Sequence, residues 1–424
     1  MSSSDGADPR SSPPPAVVIG VDCITGLQTA RILADRGVRV HGVTADRRHW
    51  GARTNACVEV VESALSGPDL LASLLTLGRS LDRRAVLIPC TDAAVETVSR
   101  HRDQLRDHFA VSMADHSVTE LLLDKLRFAR YAEEHGFPVP RTEVIADRSE
   151  AEGTAALIGY PCVIKPPSKS AAWLAHTSRK GFAVADAEEF LAVYDRVAAW
   201  VPFVLAQEWI QGAEDELYSC NAVFGAGGRP LATFVARKVR QWPPEIGTSA
   251  SGEECRNDEV LETTVRLFGG LGHRGLAYLE MKRDVRTGRL LVVEPNVGRP
   301  TGRSAIAEQG GVELVYTAYC DAAGLPLPDA RQQSYGDARW VDVRRDLQAV
   351  LVARRHGTLT WRQWLSWLRG PKAHAIWSPR DPGPFVADVL GAARTGLRSL
   401  TTTTRNRPTA GPPPRTPITQ GTTP

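Results

Sequence analysis

Residues 290–304 read LLVVEPNVGRPTGRS. The apolar residues at the start of this stretch predict a strand over 289–294, and the apolar run over 275–283 predicts another strand just before it. The sequence Arg286-Thr287-Gly288 between the two is typical of a tight turn. The segment therefore predicts a β-hairpin.

Three oxygen-bearing side chains fall on this hairpin. Glu294 and Asn296 are two positions apart, so they point to the same side of their strand. Glu280 lies on the other strand, where it can face the same cleft. Two carboxylates and an amide oxygen form the hard oxygen site that Mg²⁺ prefers, with phosphate oxygens completing it. The alternative is a solvated hairpin with ordinary charges.

Charged side chains also recur at predicted strand ends upstream, at Lys165, Glu208, Glu216 and Lys238. Only seven of the 51 basic residues are lysines, so the chain mostly uses arginine where it needs positive charge. A lysine ammonium differs from a guanidinium because it is a compact point charge that fits between phosphate oxygens. Each lysine is therefore an uncommon choice in this chain.

The N-terminal part alternates strands and helices. Strands are predicted at 16–21, 38–43 and 86–89, with helices at 25–36 and 70–81. This order predicts a parallel, doubly wound sheet of the α/β class. The first turn, residues 20–26, lacks the middle glycine of a GxGxxG motif, which disfavours a dehydrogenase.

The second half predicts one long helix followed by many strands. The capping-box pattern Ser117-x-x-Glu120 predicts that a single amphipathic helix runs to His135 and contains Lys125. Further strands and helices are predicted at 160–166, 181–184, 187–200 (helix), 204–207, 217–224, 231–238 and 258–271 (helix).

Composition narrows the functional classes. A net charge of +3 over 424 residues argues against a dedicated nucleic-acid binder. No apolar run is long enough for a membrane span, and the N-terminus lacks the apolar core of a secretory signal. Seven cysteines without a CxxC motif predict reduced thiols in a cytoplasmic protein.

The two ends differ from the centre. Residues 1–15 and 401–424 are rich in Pro, Ser and Thr, and both are predicted to be disordered. Residues 328–400 interleave five tryptophans with arginines and predict helices starting at Trp361, capped by Thr360, and over 385–400. A helical extension packed on the main body is the first interpretation. Peripheral contact with a membrane and a partner-protein surface are the alternatives.

Four stretches together resemble the ATP-grasp superfamily: YPCVIKPP (160–167), VLAQEWIQGAEDELYS (204–219), ARKVRQWPPEIG (236–247) and LLVVEPNVGRPTGRS (290–304). The likeness is greatest to its carboxylate–amine ligases, of the D-aspartate ligase type and more distantly the D-alanine–D-alanine ligase type. It implies a Rossmann-like domain over 16–115 and a grasp domain with lobes over 116–205 and 206–327.

The resemblance also implies a nucleotide site. Lys125 and Lys165 resemble the lysines that hold the α- and β-phosphates of ATP. Glu208 begins the hinge, where Trp209 and Ile210 would offer backbone groups to the adenine edge. Glu216 resembles the carboxylate that accepts hydrogen bonds from the ribose hydroxyls.

The same resemblance implies the catalytic groups. Lys238 resembles the lysine that reaches the β- and γ-phosphates, and Arg237 beside it would face substrate or phosphate. Arg299 and Arg303 fall where the family stabilises the transferred phosphoryl group or binds the carboxylate. The metal ligands would be Glu280, Glu294 and Asn296, binding Mg²⁺, with Mn²⁺ as the alternative ion.

Two positions depart from the family pattern. The phosphate-covering loop reads PPSKSAAW (166–173) instead of being glycine-rich, and Ser168 could supply a side-chain contact there. Some relatives carry an arginine two residues before the first metal carboxylate, where this chain has Tyr278. Lys282 and Arg299 are the candidates to replace that arginine.

Substrate-binding candidates come from the N-terminal sheet. Asp22, Thr25 and Asp92 follow strand carboxyl ends, where such sheets bind ligands. Helix capping is the alternative role for these residues.

The sequence thus predicts an ATP-dependent ligase that joins a carboxylate to an amine through an acyl phosphate. Its substrates would be amino acids or small peptides, and a homodimer is compatible with the sequence. A small-molecule kinase and a non-catalytic nucleotide-binding module are the alternatives.

Overall fold

The computed structural model describes residues 12–167, 170–177, 179, 181–244 and 247–403, the last ten of these by their backbone alone. Three sheets of five, four and seven strands organise this part of the chain. The predicted terminal tails lie outside it at 1–11 and 404–424, and Ser168 is also among the residues not described.

The N-terminal domain is a parallel sheet with helices on both sides, as predicted. Its strands and helices are β1 (Ala16–Ile19), α1 (Ile24–Asp35), β2 (Val40–Thr44), β3 (Glu59–Glu62), α2 (Gly67–Ser80), β4 (Ala85–Pro89), α3 (Asp92–Arg100), α4 (Arg102–Leu105) and β5 (Phe109–Ala110). The strand order is β3-β2-β1-β4-β5. Val17 and Val18 of β1 enter two different buried clusters, because both faces of the sheet are covered.

The predicted long helix over 117–135 is wrong. Two helices, α5 (His116–Leu123) and α6 (Lys125–Glu134), replace it. The helix is interrupted at Asp124, whose carboxylate accepts hydrogen bonds from the backbone N–H groups of Leu126 and Arg127. Asp115, and not Ser117, is the residue at the N-cap of α5. The break makes Lys125 the first residue of a helix.

The second sheet belongs to a small lobe with antiparallel strands. Its elements are β6 (Thr142–Ile145), α7 (Arg148–Leu157), β7 (Cys162–Lys165), α8 (Ala171–His176), β8 (Phe182–Val184), α9 (Ala187–Val197) and β9 (Val204–Glu208). The strand order is β6-β9-β7-β8, so β7 and β9 lie side by side. Trp173 is fully buried in the core of this lobe.

The third sheet carries most of the predicted site. Its lobe contains β10 (Leu217–Phe224), β11 (Pro230–Trp242), β12 (Thr248–Glu254), α10 (Asp258–Gly270), β13 (Gly275–Arg283), β14 (Leu290–Val297), α11 (Ala305–Gln309) and α12 (Leu314–Ala323). The predicted bounds of β10 and β13 are confirmed. Glu280 pairs with Ser219 on one side and with Glu294 on the other, so these three lie on one face.

The C-terminal extension joins this same sheet. It contains β15 (Arg339–Val341), α13 (Val343–Arg355), α14 (Trp361–Trp367), β16 (Ala373–His374) and α15 (Gly383–Thr403). β15 pairs with β12 and β16 with β15, which completes the order β14-β13-β10-β11-β12-β15-β16. The predicted Thr360 cap is confirmed, because its side chain and that of Gln363 form a reciprocal capping box.

No helix in the described ranges is both long and apolar enough to cross a membrane.

Candidate active site

Two lysines and a glutamate from three separate elements meet in the cleft between the lobes. The Nζ atom of Lys125, at the start of α6, lies 3.1 Å from Oε1 of Glu294 on β14. Lys165, at the end of β7, is close to both. Burial and, to a smaller extent, the charge of Lys125 lower the pKa of Lys165 to about 8, while Glu294 opposes the shift. We call this group the lysine end.

Gln207 completes the lysine end and was not predicted from the sequence. Its Oε1 atom accepts a hydrogen bond from Lys165 Nζ at 2.7 Å, while its amide nitrogen donates to Thr142 Oγ1 at 2.7 Å. A neutral amide orients the ammonium without neutralising it. The signal was present, because Gln207 is a polar residue at the end of an otherwise apolar strand.

The predicted metal ligands share the face described above. Glu280 and Glu294 are direct cross-strand partners, and so are Tyr278 and Asn296. The described residues contain no group of three or more His, Cys, Asp or Glu side chains that could hold a metal ion. Two carboxylates and one amide fall short of six ligands, so further oxygens would have to come from phosphates or water.

Arg299 links this face to the N-terminal domain. Its guanidinium contacts the carboxylate of Asp92 and donates to the Tyr278 hydroxyl at 2.7 Å and to Asn296 Oδ1 at 2.6 Å. It also lies over the Tyr278 ring, 5.3 Å from the centroid. Arg299 therefore brings a guanidinium to Tyr278.

Arg303 is buried under the same face. Its Nη2 atom donates to Ser219 Oγ at 3.1 Å and lies 3.6 Å from Glu280 Oε1. Within the described residues, its Nη1 atom is buried without a hydrogen-bond partner. Burial lowers the pKa of Arg303, and Glu280 opposes that shift. A guanidinium normally uses all its donors, so the orphaned Nη1 indicates a missing acceptor.

Lys238 is buried on β11, where its Nζ atom lies 3.5 Å from Gln241 Oε1. The Gln241 backbone N–H in turn donates to Glu214 at 2.8 Å. Glu214 was not predicted, although the acidic run Glu214-Asp215-Glu216 contains it. We call Arg299, Arg303 and Lys238 the arginine end.

The predicted hinge follows β9. The N–H of Trp209 donates to the Pro161 carbonyl at 3.1 Å. Ile210 comes next and is half-buried. The carboxylate of Glu208 accepts from Arg286 at 2.8 Å.

Two predicted residues are not brought to the cluster. Arg237 pairs with Tyr218 across β10, on the sheet face opposite Glu280, and its guanidinium donates to Glu253 at 2.7 Å. The Glu216 carboxylate lies 3.5 Å from Arg283 and 3.4 Å from the Tyr218 hydroxyl. Glu214, on the other side of the same short turn, is the acidic residue that contacts β11.

The N-terminal domain closes the arginine end. Asp92 meets Arg299, and the Thr25 hydroxyl faces Gly302, where an added Cβ atom would lie 3.5 Å from the hydroxyl oxygen. Asp22 instead accepts from the backbone N–H of Ala45 at 2.8 Å, which ties two loops of its own domain. Asp92 and Thr25 therefore lie at the cleft, whereas Asp22 stabilises loops of the N-terminal domain.

The chain is similar in sequence to known ligases. The chain is 23% identical to D-aspartate ligase of Enterococcus faecium over 262 residues, which make up 58% of this chain and 62% of that protein. It is 33% identical to D-alanine–D-alanine ligase of Stutzerimonas stutzeri over 184 residues, 42% of this chain and 55% of that protein. The matches thus span less than two thirds of either relative. No model of a known protein family matches the chain.

A solved structure shows the same architecture. N5-carboxyaminoimidazole synthetase from Staphylococcus aureus, complexed with ADP, superimposes with a TM-score of 0.59 at 13% identity, over 76% of this chain and 80% of that chain. The chain therefore has an ATP-grasp fold of the carboxylate–amine ligase type, which confirms the fold that the sequence resemblance predicted.

Proposed function

We propose that the protein is an ATP- and Mg²⁺-dependent ligase that forms an amide bond between a carboxylate and an amine. The observation that carries this proposal is the meeting of Lys125, Lys165 and Glu294 at one end of a face whose other end holds Arg299 and Arg303. These residues are far apart in sequence and come from both lobes of the grasp domain.

The lysine end fits the phosphates of ATP. Two ammonium groups face one carboxylate there, and the pKa of Lys165 is lowered to about 8 because burial and Lys125 disfavour its charge. An anion between the lysines would remove that penalty. The hinge carbonyl of Trp209 would meet the adenine edge, and either Glu214 or Glu216 would meet the ribose.

The metal candidates fit Mg²⁺ bound together with phosphate. Glu280 and Glu294 are adjacent acidic side chains on one face, and Asn296 adds an amide oxygen. When bound, the ion would neutralise charge on the phosphate oxygens. Glu294, which contacts Lys125 here, would then bind the metal ion as well as the lysine.

The arginine end fits the chemical step. An oxygen of the substrate carboxylate attacks the γ-phosphorus, the bond from that phosphorus to the β-phosphate oxygen breaks, and ADP leaves. The positive charges of Lys238 and Arg299 stabilise the negative charge that is redistributed during this step. The amine then attacks the acyl carbon, phosphate leaves, and the amine releases a proton to solvent.

No thiol in the described residues is suited to replace this route by covalent catalysis. The seven cysteines are unpaired, and burial raises the pKa of Cys162 and Cys220 to about 12. Thiols with such pKa values are poor nucleophiles at neutral pH. Unpaired thiols also fit a reducing compartment such as the cytoplasm.

The substrates that fit are amino acids or short peptides. Arg303 offers an orphaned donor beside Ser219, and Arg299 lies next to it, so an anionic group is accommodated. The experiment is an ADP-release screen over pools of amino acids and peptides, with products identified by mass spectrometry.

Controls in that screen separate the alternatives. A ligase forms ADP in step with amide and shows little turnover when the amine is omitted. ADP formation that continues without an amine and yields a phosphorylated acceptor would indicate a kinase instead. AMP and pyrophosphate as the main products would contradict attack at the γ-phosphorus.

A further inference from the structure

The C-terminal extension concentrates the exposed apolar side chains of the molecule. Of the fifteen large apolar side chains exposed in the described part of the chain, nine lie between 343 and 390. They are Val343, Leu347, Leu351, Trp361, Leu365, Trp377, Val386, Val389 and Leu390. We call these nine residues the extension patch.

Contacts between the three helices bring these residues onto neighbouring elements. Arg354 of α13 lies over the Trp361 ring of α14, 4.6 Å from its centroid. At the other end of α13, Arg344 lies 3.4 Å from Asp388 of α15. Helix α13 is therefore central, and its exposed residues Val343, Leu347 and Leu351 recur at every fourth position along one stripe.

The segment that carries the patch has more basic than acidic residues. Residues 339–393 contain nine basic and four acidic residues. The four aspartates are used internally, and their side chains are at most 8% exposed: Asp342, Asp346, Asp381 and Asp388. Arginines such as Arg354, Arg355, Arg362 and Arg369 are exposed. Residues 404–424 add three arginines and no acidic residue.

We propose that this face docks on an anionic phospholipid surface. Exposed leucine, valine and tryptophan side chains enter the headgroup and acyl boundary, while arginines around them meet lipid phosphates. Two exposed tryptophans, Trp361 and Trp377, suit an interface because one part of the indole is apolar and the other donates a hydrogen bond. Charge argues against a second copy of the chain, because a twofold contact would bring these arginines against each other.

The patch and the lysine end belong to opposite edges of the large sheet. The extension pairs with β12, whereas β14, which carries Glu294, is the strand at the other edge. Binding at this surface is separable from ATP chemistry, so the proposal stands whether or not the ligase assignment does.

The test is co-sedimentation of the full chain with two kinds of vesicle, phosphatidylcholine alone and phosphatidylcholine mixed with phosphatidylglycerol. We expect binding to the anionic vesicles only, with loss of binding as salt is raised. The double variant Leu347→Gln/Leu351→Gln should reduce partitioning by at least about tenfold, because it removes two apolar contacts without opening the core.

A matched control uses exposed apolar residues elsewhere. Val58→Gln/Leu157→Gln removes two apolar side chains that are more exposed than Leu347 and Leu351, and we expect it to bind vesicles like the unaltered chain. Both variants should melt at the same temperature as the unaltered chain. Equal vesicle binding by the two variants, or no binding by the unaltered chain, would overturn the proposal.

Light scattering on the same samples tests whether the patch instead joins two copies of the chain. Self-association that the Leu347→Gln/Leu351→Gln variant abolishes, in a chain that ignores both vesicles, would assign the patch to an interface between copies and reject membrane docking.

Discussion

At the lysine end of the cleft, Lys125 and Glu294 pair with 42% and 43% of their side chains exposed. At the arginine end, Arg303 and Lys238 are only 4% and 6% exposed. Exposed pairs contribute little to folding, whereas buried charges are costly unless their surroundings are fixed in advance. The Lys125–Glu294 pair is therefore free to rearrange around a ligand, and the arginine end is set by the fold.

The fixed surroundings of the arginine end extend into the C-terminal extension. Asp346 of α13 is fully buried and accepts hydrogen bonds from Arg240, Ser251 and Trp364, each at 2.7 Å. Arg240 lies two residues after Lys238 on β11, between two irregularities in strand pairing. This contrast predicts that substitutions at the two ends fail in different ways.

The largest effect is expected where the buried network is broken. Asp346→Ala leaves Arg240 buried without its carboxylate, so it should lower the free energy of unfolding by about 3–5 kcal/mol. Asp82→Ala is the control, because it removes an exposed pair with Arg39 and should cost only about 0–1 kcal/mol. Urea denaturation of both variants measures the difference. Equal losses would show that burial does not distinguish the two pairs.

The lysine end should respond in activity and not in stability. Lys165→Ala should lower turnover by roughly 10²–10³-fold, the scale of losing one charged stabiliser in a closed site. Lys165→Arg should recover little, since the guanidinium fork is larger than the ammonium. Lys372→Ala, a lysine on the extension, is the control for ADP release. Full activity in the arginine variant would contradict the assigned role.

Arg303 offers a sharper version of the contrast. Arg303→Met removes the guanidinium that pairs with Glu280, so the free energy of unfolding should fall, though by less than for Asp346→Ala because Glu280 is partly exposed. Turnover should fall by about 10²-fold, as for the loss of a positioned donor. Thermal melting measures the stability of the variant, and ADP release on the same sample measures its turnover. A destabilised but fully active variant would make Arg303 a structural residue.

The metal ligands should give a smaller, concentration-dependent effect. Glu294→Gln keeps the shape and removes the charge, so the Mg²⁺ concentration for half-maximal activity should rise at least about tenfold. The melting temperature should stay the same because Glu294 is half-exposed. Glu143→Gln breaks an exposed pair with Arg141 and serves as the control. A wild-type Mg²⁺ titration for Glu294→Gln would place the metal elsewhere.

The smallest effect is on pH dependence. The pKa of Lys165 is about 8, below its ordinary value, so kcat/KM for ATP should fall by up to about tenfold per pH unit above pH 8. Between that pH and the ordinary lysine pKa the unfolded chain binds more protons than the folded one, so stability should rise with pH there. A flat kcat/KM profile through pH 9 would remove Lys165 from ATP binding.

The sequence predicted the parts of the site that follow from short-range regularity. Strand alternation placed Glu294 and Asn296 on one face, and the bounds of β10 and β13 follow from short stretches rich in apolar residues. The scarcity of lysine drew attention to Lys165, at the end of β7, and to Lys238, which lies within β11. In each case the signal lies within a few residues of the side chain concerned.

What the sequence missed depends on contacts between distant residues. Periodicity gave no reason to break the helix at Asp124, because its capping role competes with an equally good amphipathic pattern. Arg299 approaches Tyr278 and Asp92 only once two domains pack together. Strands β15 and β16 are too short to stand out, and they exist because β12 offers them an edge.

The pairing of β15 with β12 also bears on aggregation. Without the extension, β12 would be an edge strand, and Ser251, Gly252 and Glu253 would present unpaired backbone N–H and C=O groups. Such an edge recruits strands from other molecules. The three residues of β15 protect this edge by pairing with it. A chain cut before Arg339 would therefore be prone to polymerise by pairing of β12 between molecules.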